Sequence, residues 1–131
     1  MATIKSYTDI EQSKKLAEIL PIESADMWWS RCTITDFGDG ELKVSYAVEP
    51  CNISQFRNTK EDIPCWSLAA LLSVLPDSIY DNTNEFSQLE FSKRSVAYHD
   101  MNDGIKVGSI QDNLVDACYK LILKLHELNL L

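Results

Sequence analysis

Glycine is scarce in this chain: the four present, Gly38, Gly40, Gly104 and Gly108, form neither a Walker A loop nor a Gly-x-Gly-x-x-Gly turn. Backbone cradles for nucleotide phosphates need such glycines for close approach, so nucleotide hydrolysis by either design is not expected. Positive charge is also short, with 12 Lys and Arg against 20 Asp and Glu and a net charge of −8. DNA backbones and anionic lipid surfaces both demand a positive footprint, so neither nucleic acid nor a membrane surface is the expected partner. The longest apolar run, Leu68 to Leu75, is eight residues including a serine, far below the roughly 20 that cross a bilayer. The N-terminal stretch carries no apolar run of signal-peptide length, and the expectation is a cytoplasmic protein. Its four cysteines, Cys32, Cys51, Cys65 and Cys118, contain no Cys-x-x-Cys pair and read as reduced thiols.

Metal ligands are similarly sparse. A site needs three or four donors, usually with a pair close in sequence. The nearest combinations are His99 with Asp100 and Asp103, or Cys118 with His126, the latter eight residues apart. Asp100-x-Asn102-Asp103-Gly104 begins like a calcium loop, but Gln111 stands where the terminal glutamate belongs, and the stretch reads as a turn. No metal and no cofactor are expected.

What is present is one ordinary domain's worth of chain, 131 residues with 45% hydrophobic and 24% charged residues. That balance is globular, and at this size about two thirds of the unfolded surface is buried without help from disulfides. Thr8 and Glu11 have capping-box spacing, which predicts a first helix over 9–20 with Ile10, Leu16, Ala17, Ile19 and Leu20 inside and Pro21 at its end. Met27 to Thr35 and Glu41 to Val48 read as strands joined by a hairpin at Asp36 to Gly40. A polar loop follows to Asp62, with a short strand or turn near Ile53 to Phe56. Pro64 to Leu75 is apolar almost all round and reads as a central, buried helix stopped by Pro76. Short β-type runs at Gln88 to Ser92 and Ser95 to His99, then a turn at Asp100 to Gly104 before Ile105 to Val107, make a second hairpin.

The clearest periodicity is at the C-terminus, where Leu114, Cys118, Leu121, Leu125 and Leu128 alternate in steps of four and three. A helix over 112–128 follows, capped by Asp112 or Ser109. The fold class is α+β: three helices packed on a mostly antiparallel sheet of about four to five short strands, in a single domain over 1–131.

Cys65 is the sharpest chemical candidate, placed after a proline at the predicted start of a helix, where amides and dipole would favour a thiolate. Cys65-Trp66-Ser67 followed by small and apolar residues resembles the nucleophile stretch of papain-like cysteine peptidases. That resemblance implies Cys65 as nucleophile and His99, later on a predicted strand, as its partner in a cysteine-dependent hydrolase. Ile63 and Pro64 stand where that family has glycine and serine, its oxyanion-hole glutamine has no counterpart, and the spacing to His99 is short. A thiol packed at a helix end explains Cys65 equally well.

Trp28 and Trp29 are adjacent on a strand and must point to opposite faces, so one of them is available to stack on a small ligand or to cover a loop. Asp77, Asp81, Glu85 and Glu90 form a stretch without lysine or arginine, which reads as a solvated loop, as an imitation of a nucleic-acid backbone or as a dock for a basic partner. Leu128, Leu130 and Leu131 extend the helical stripe to the end of the sequence and are candidate interface residues, for the parent sheet or for a homodimer.

The stretches Ile10 to Pro21, Glu23 to Met27, Pro64 to Leu72 and Asn113 to Leu131 resemble small uncharacterised proteins of phage and other mobile elements in gut bacteria. The resemblance implies context and no mechanism. The leading expectation is a non-enzymatic cytosolic protein that binds another protein, as a regulator or host-interaction factor. A Cys65/His99 enzyme and a ligand binder using Trp28 or Trp29 are the alternatives.

Overall fold

In the computed structural model of the chain, residues 5–35, 42–50, 62–80, 86–100 and 104–131 are described, 31–35 and 42–50 by backbone alone. The chain divides into two compact units, Asp9–Trp66 and Met1–Thr8 with Ser67–Leu131.

In the first unit, α1 spans Ile10–Ala17. Asp9 Oδ1 accepts from the Gln12 amide at 2.8 Å while the Asp9 amide donates to Gln12 Oε1 at 3.1 Å. The capping box thus lies one residue after the expected Thr8 and Glu11, because Asp9 takes the extended backbone of a cap and offers a charged acceptor. Leu16 and Leu20 are buried, but Ala17 is exposed. The helix also stops short of residue 20. The Glu18 and Ile19 amides bond only three residues back, to the carbonyls of Lys15 at 3.2 Å and Leu16 at 3.0 Å, so the chain tightens before Pro21.

Strands β1 (Met27–Thr35), β2 (Leu42–Pro50) and β3 (Ile63–Cys65) form an antiparallel sheet of order β2-β1-β3. β1 and β2 pair continuously from Met27 opposite Pro50 to Thr35 opposite Leu42, the expected hairpin. Its loop at 36–41 and the stretch 51–61, with the expected turn near Ile53 to Phe56, lie outside the described residues.

Cys65 is therefore on a strand and not at a helix start. Pro64 biases Ile63 away from helical angles, and it has no amide to give, which an edge strand tolerates. Ser67 then caps the helix that follows, its Oγ accepting from the Ala70 amide at 3.2 Å. Trp66, between strand and cap, is fully buried and donates from Nε1 to Ser24 Oγ at 2.9 Å.

The second unit holds α2 (Leu68–Val74), strands β4 (Ser78–Tyr80), β5 (Phe86–Phe91), β6 (Ser95–Asp100) and β7 (Ile105–Ile110), and α3 (Leu114–Glu127). The strands run in sequence order as an antiparallel meander. The α+β class is as expected, but the strands are seven among the described residues and lie in two sheets. Residues 5–8 tie down both helices. The Leu68 amide donates to Ser6 O at 3.0 Å, and Lys5 Nζ meets Asp116 Oδ1 at 2.8 Å.

The most buried helix is α3 and not α2. Val115, Ala117, Cys118, Leu121, Ile122 and Leu125 are buried on α3, against Ala70 and Leu71 on α2. Asn113 caps α3 in place of Asp112 or Ser109: its side chain accepts from the Asp116 amide at 2.9 Å and donates to the Asp116 carboxylate at 2.9 Å. At the other end Asn129 takes a left-handed φ of 57°. Its amide bonds His126 O at 3.1 Å and the Leu130 amide bonds Leu125 O at 2.9 Å, a Schellman closure. Leu128, the C-cap just before that reversal, keeps the helical bond of its amide to Lys124 O at 3.1 Å but is exposed.

Tyr98 on β6 is fully buried and donates its hydroxyl to Pro76 O at 2.6 Å, fixing the turn between α2 and β4. Tyr98→Phe keeps the ring and strands that carbonyl, which costs about 1–3 kcal/mol. Denaturant unfolding should show that loss as a lower midpoint with an unchanged slope.

Candidate functional site

Side chains alternate between the two faces of a strand, so the register of the four-stranded sheet sorts its residues. Val96 and Tyr98 on β6 face the core side, where α3 packs against β6 and β7. Ala97 and His99 face the other way. Pairing carries that open face across the sheet: Tyr80 opposite Phe86, Gln88 opposite His99, Glu90 opposite Ala97, Ala97 opposite Gly108 and Ser95 opposite Ile110.

A bulge extends the face further. Tyr98 pairs with Val107 and His99 with Ile105, leaving Lys106 unmatched, so Ile105 turns onto the same side as His99. The open face thus collects Tyr80, Phe86, Ile105 and Ile110, all exposed. Tyr80 and Phe86 meet edge to face with centroids 5.7 Å apart.

Between β6 and β7 this face sinks into a cavity of about 540 Å³. Its floor is Ala97 and Gly108, with Ile105 and His99 at one end and Ile110 and Ser95 at the other. The depression exists because the floor carries almost no side chain: a Cβ on Gly108 would lie 2.7 Å from Ala97 Cβ and 3.2 Å from Val96 O. Its volume suits one large side chain or a small ligand.

His99 and Lys124 are the ionisable residues that line the cavity. His99 Nε2 is 3.6 Å from Glu90 Oε2. Lys124, one of the lining residues, reaches from α3 to donate its Nζ to Gly108 O at 2.5 Å, which covers an outward carbonyl of the edge strand β7. Ser95 Oγ is engaged with Ser92 Oγ at 2.6 Å. The site is thus an apolar trough with a cation on its rim.

Of the residues picked from the sequence, His99 lies in this site. Cys65 belongs to the other unit, fully buried on β3. Trp28 and Trp29 are half-buried on β1 in that unit, opposite Pro64 and Ile63 on β3. Leu128 and Leu131 are exposed and Leu130 is half-buried. In the acidic stretch Asp77 and Glu90 are exposed, with Glu90 on a strand, while Asp81 and Glu85 lie outside the described residues. Sequence reasoning missed the cavity floor, for which Gly108 inside a β-type run was the available signal. Among the described residues no cluster of His, Cys, Asp and Glu is placed to hold a metal ion.

Comparison with protein-family models, with curated proteins and with solved structures gives no match. The reading of the site therefore rests on its own geometry.

Beneath the cavity, burial raises the Cys118 thiol from its ordinary 9.0 to about 12. Tyr98 is also raised, first by burial, then by the Asp77 carboxylate and Cys118. Both groups keep their protons in the fold at a pH where the unfolded chain releases them. Their stabilisation is full below pH 9 and is lost as pH climbs toward 12. Thermal melts across that range should show the decline, and Cys118→Ala should delay its onset toward the ordinary tyrosine range near 10. A second outcome tests the floor: Gly108→Ala forces backbone or Ala97 to shift and should cost about 1–3 kcal/mol in denaturant unfolding.

Proposed function

We propose that this chain is a non-enzymatic, cytoplasmic binding protein that engages a protein partner through the open face of its four-stranded sheet. One observation carries the reading: Ile110 is 74% and Ile105 64% exposed in the lining of a cavity, and Tyr80, 61% exposed, lies on the same face of the sheet. Each exposed aliphatic or aromatic residue forgoes the roughly 1.5–3 kcal/mol that burial would contribute. Grouping such residues beside a concavity is the pattern of an interaction site. The acidic chain, at −8, argues against a nucleic acid as the partner. Among the described residues no helix is long and apolar enough to cross a membrane. A regulator or host-interaction factor of a mobile element is the process such a protein would serve.

A homodimer is the second reading, favoured by the exposure of Leu128 and Leu131. Photo-crosslinking in the producing cell separates the two. A photoreactive residue in place of Ile110 should yield a discrete adduct with a second protein, whereas one in place of Glu23, exposed on the other unit, should not. An adduct of the chain with itself supports the homodimer, and equal labelling from both positions overturns the open face as the interface.

A further inference from the structure

We infer that the cavity on the open face receives a partner segment in which a carboxylate lies beside an aliphatic side chain, the carboxylate on Lys124 and the aliphatic chain between Ile105 and Ile110. This rests on the open face being the interface and adds the chemistry of what it recognises. Lys124 carries the only ammonium among the residues lining the cavity. It donates to the Gly108 carbonyl and, among the described residues, makes no ion pair with a carboxylate. An ammonium has three donors, so two remain for an incoming acceptor. By contrast Arg94 is beside Asp112, Lys106 beside Asp100 and His99 beside Glu90.

In a chain with 20 acidic and 12 basic residues, a cation without a carboxylate, held against an apolar trough, is the place for a partner's negative charge. Its backbone partner fixes the Nζ, so little further ordering is needed on binding. A phosphate group asks for several converging donors, and one ammonium suits a single carboxylate. The floor explains the neighbouring aliphatic group. With Ala97 and Gly108 beneath, a leucine-sized side chain fits between the isoleucines.

The test uses three acetylated and amidated pentapeptides, Ala-Leu-Glu-Leu-Ala and its Gln and Lys counterparts, titrated into the full chain while amide resonances are followed. The Glu peptide should move the Gly108 and Ile110 resonances and bind about fivefold tighter than the Gln peptide, with the Lys peptide weakest. Raised salt should shrink that preference. Lys124→Met keeps the apolar stem and should abolish the difference between Glu and Gln while leaving Gln-peptide binding in place. Equal binding of all three, a preference for Lys, no shifts at millimolar peptide, or a Glu preference that survives Lys124→Met would each overturn the inference. Failure here together with a discrete adduct from position 110 removes the charge rule and leaves the interface standing. Failure of both removes the interface as well.

Discussion

The alternation of side chains along β6 is the constraint on which the second unit depends. Val96 and Tyr98 project to the side where α3 packs, and Ala97 and His99 project to the open side. One set supplies the core and the other the cavity. Tyr98 adds a directional bond, because its hydroxyl reaches Pro76 O and ties the turn after α2 to the middle of the sheet. A slip of one residue in β6 would put the tyrosine in water and the alanine in the core, exchanging both roles at once.

The close approach of Gly108 to Ala97 connects stability with the shape of the open face. In a narrow pair of an antiparallel ladder the side chains stand closer than elsewhere, and here a second Cβ has no room. The same lack of side chains hollows the open face. Lys124 then serves the edge strand and the cavity together, since its ammonium covers the Gly108 carbonyl while its stem forms part of the wall. The bulge beside His99 adds Ile105 to a face from which strict alternation would exclude it.

Much of the fold is legible along the chain. The hairpin of β1 and β2 follows from its β-branched and aromatic runs, and α3 from the spacing of Cys118, Leu121 and Leu125. Local competition hid other elements. The apolar run beginning at Pro64 reads as one helix, yet Pro64 and Ile63 favour extended backbone and Ser67 is the better cap, so strand and helix divide it. Cys65 loses the helix dipole that made it a candidate nucleophile and becomes a buried strand residue. At the C-terminus the 3.6-residue period continues through Leu128 in sequence, but the left-handed turn at Asn129 ends the helix just beyond it and Leu128 is exposed.

By itself the sequence determined the elements whose signals are local: which stretches alternate, which repeat every three or four residues, and where acid outweighs base. It also determined the α+β class, because those patterns occur in both kinds within one short chain. Only the tertiary structure decided that Ala97 lies against Gly108, that Lys124 reaches β7, and that two isoleucines five residues apart share a face. Each of these depends on register between strands or on packing between a helix and a sheet edge. Such pairings are chosen by contacts between residues distant in sequence, which no local period encodes.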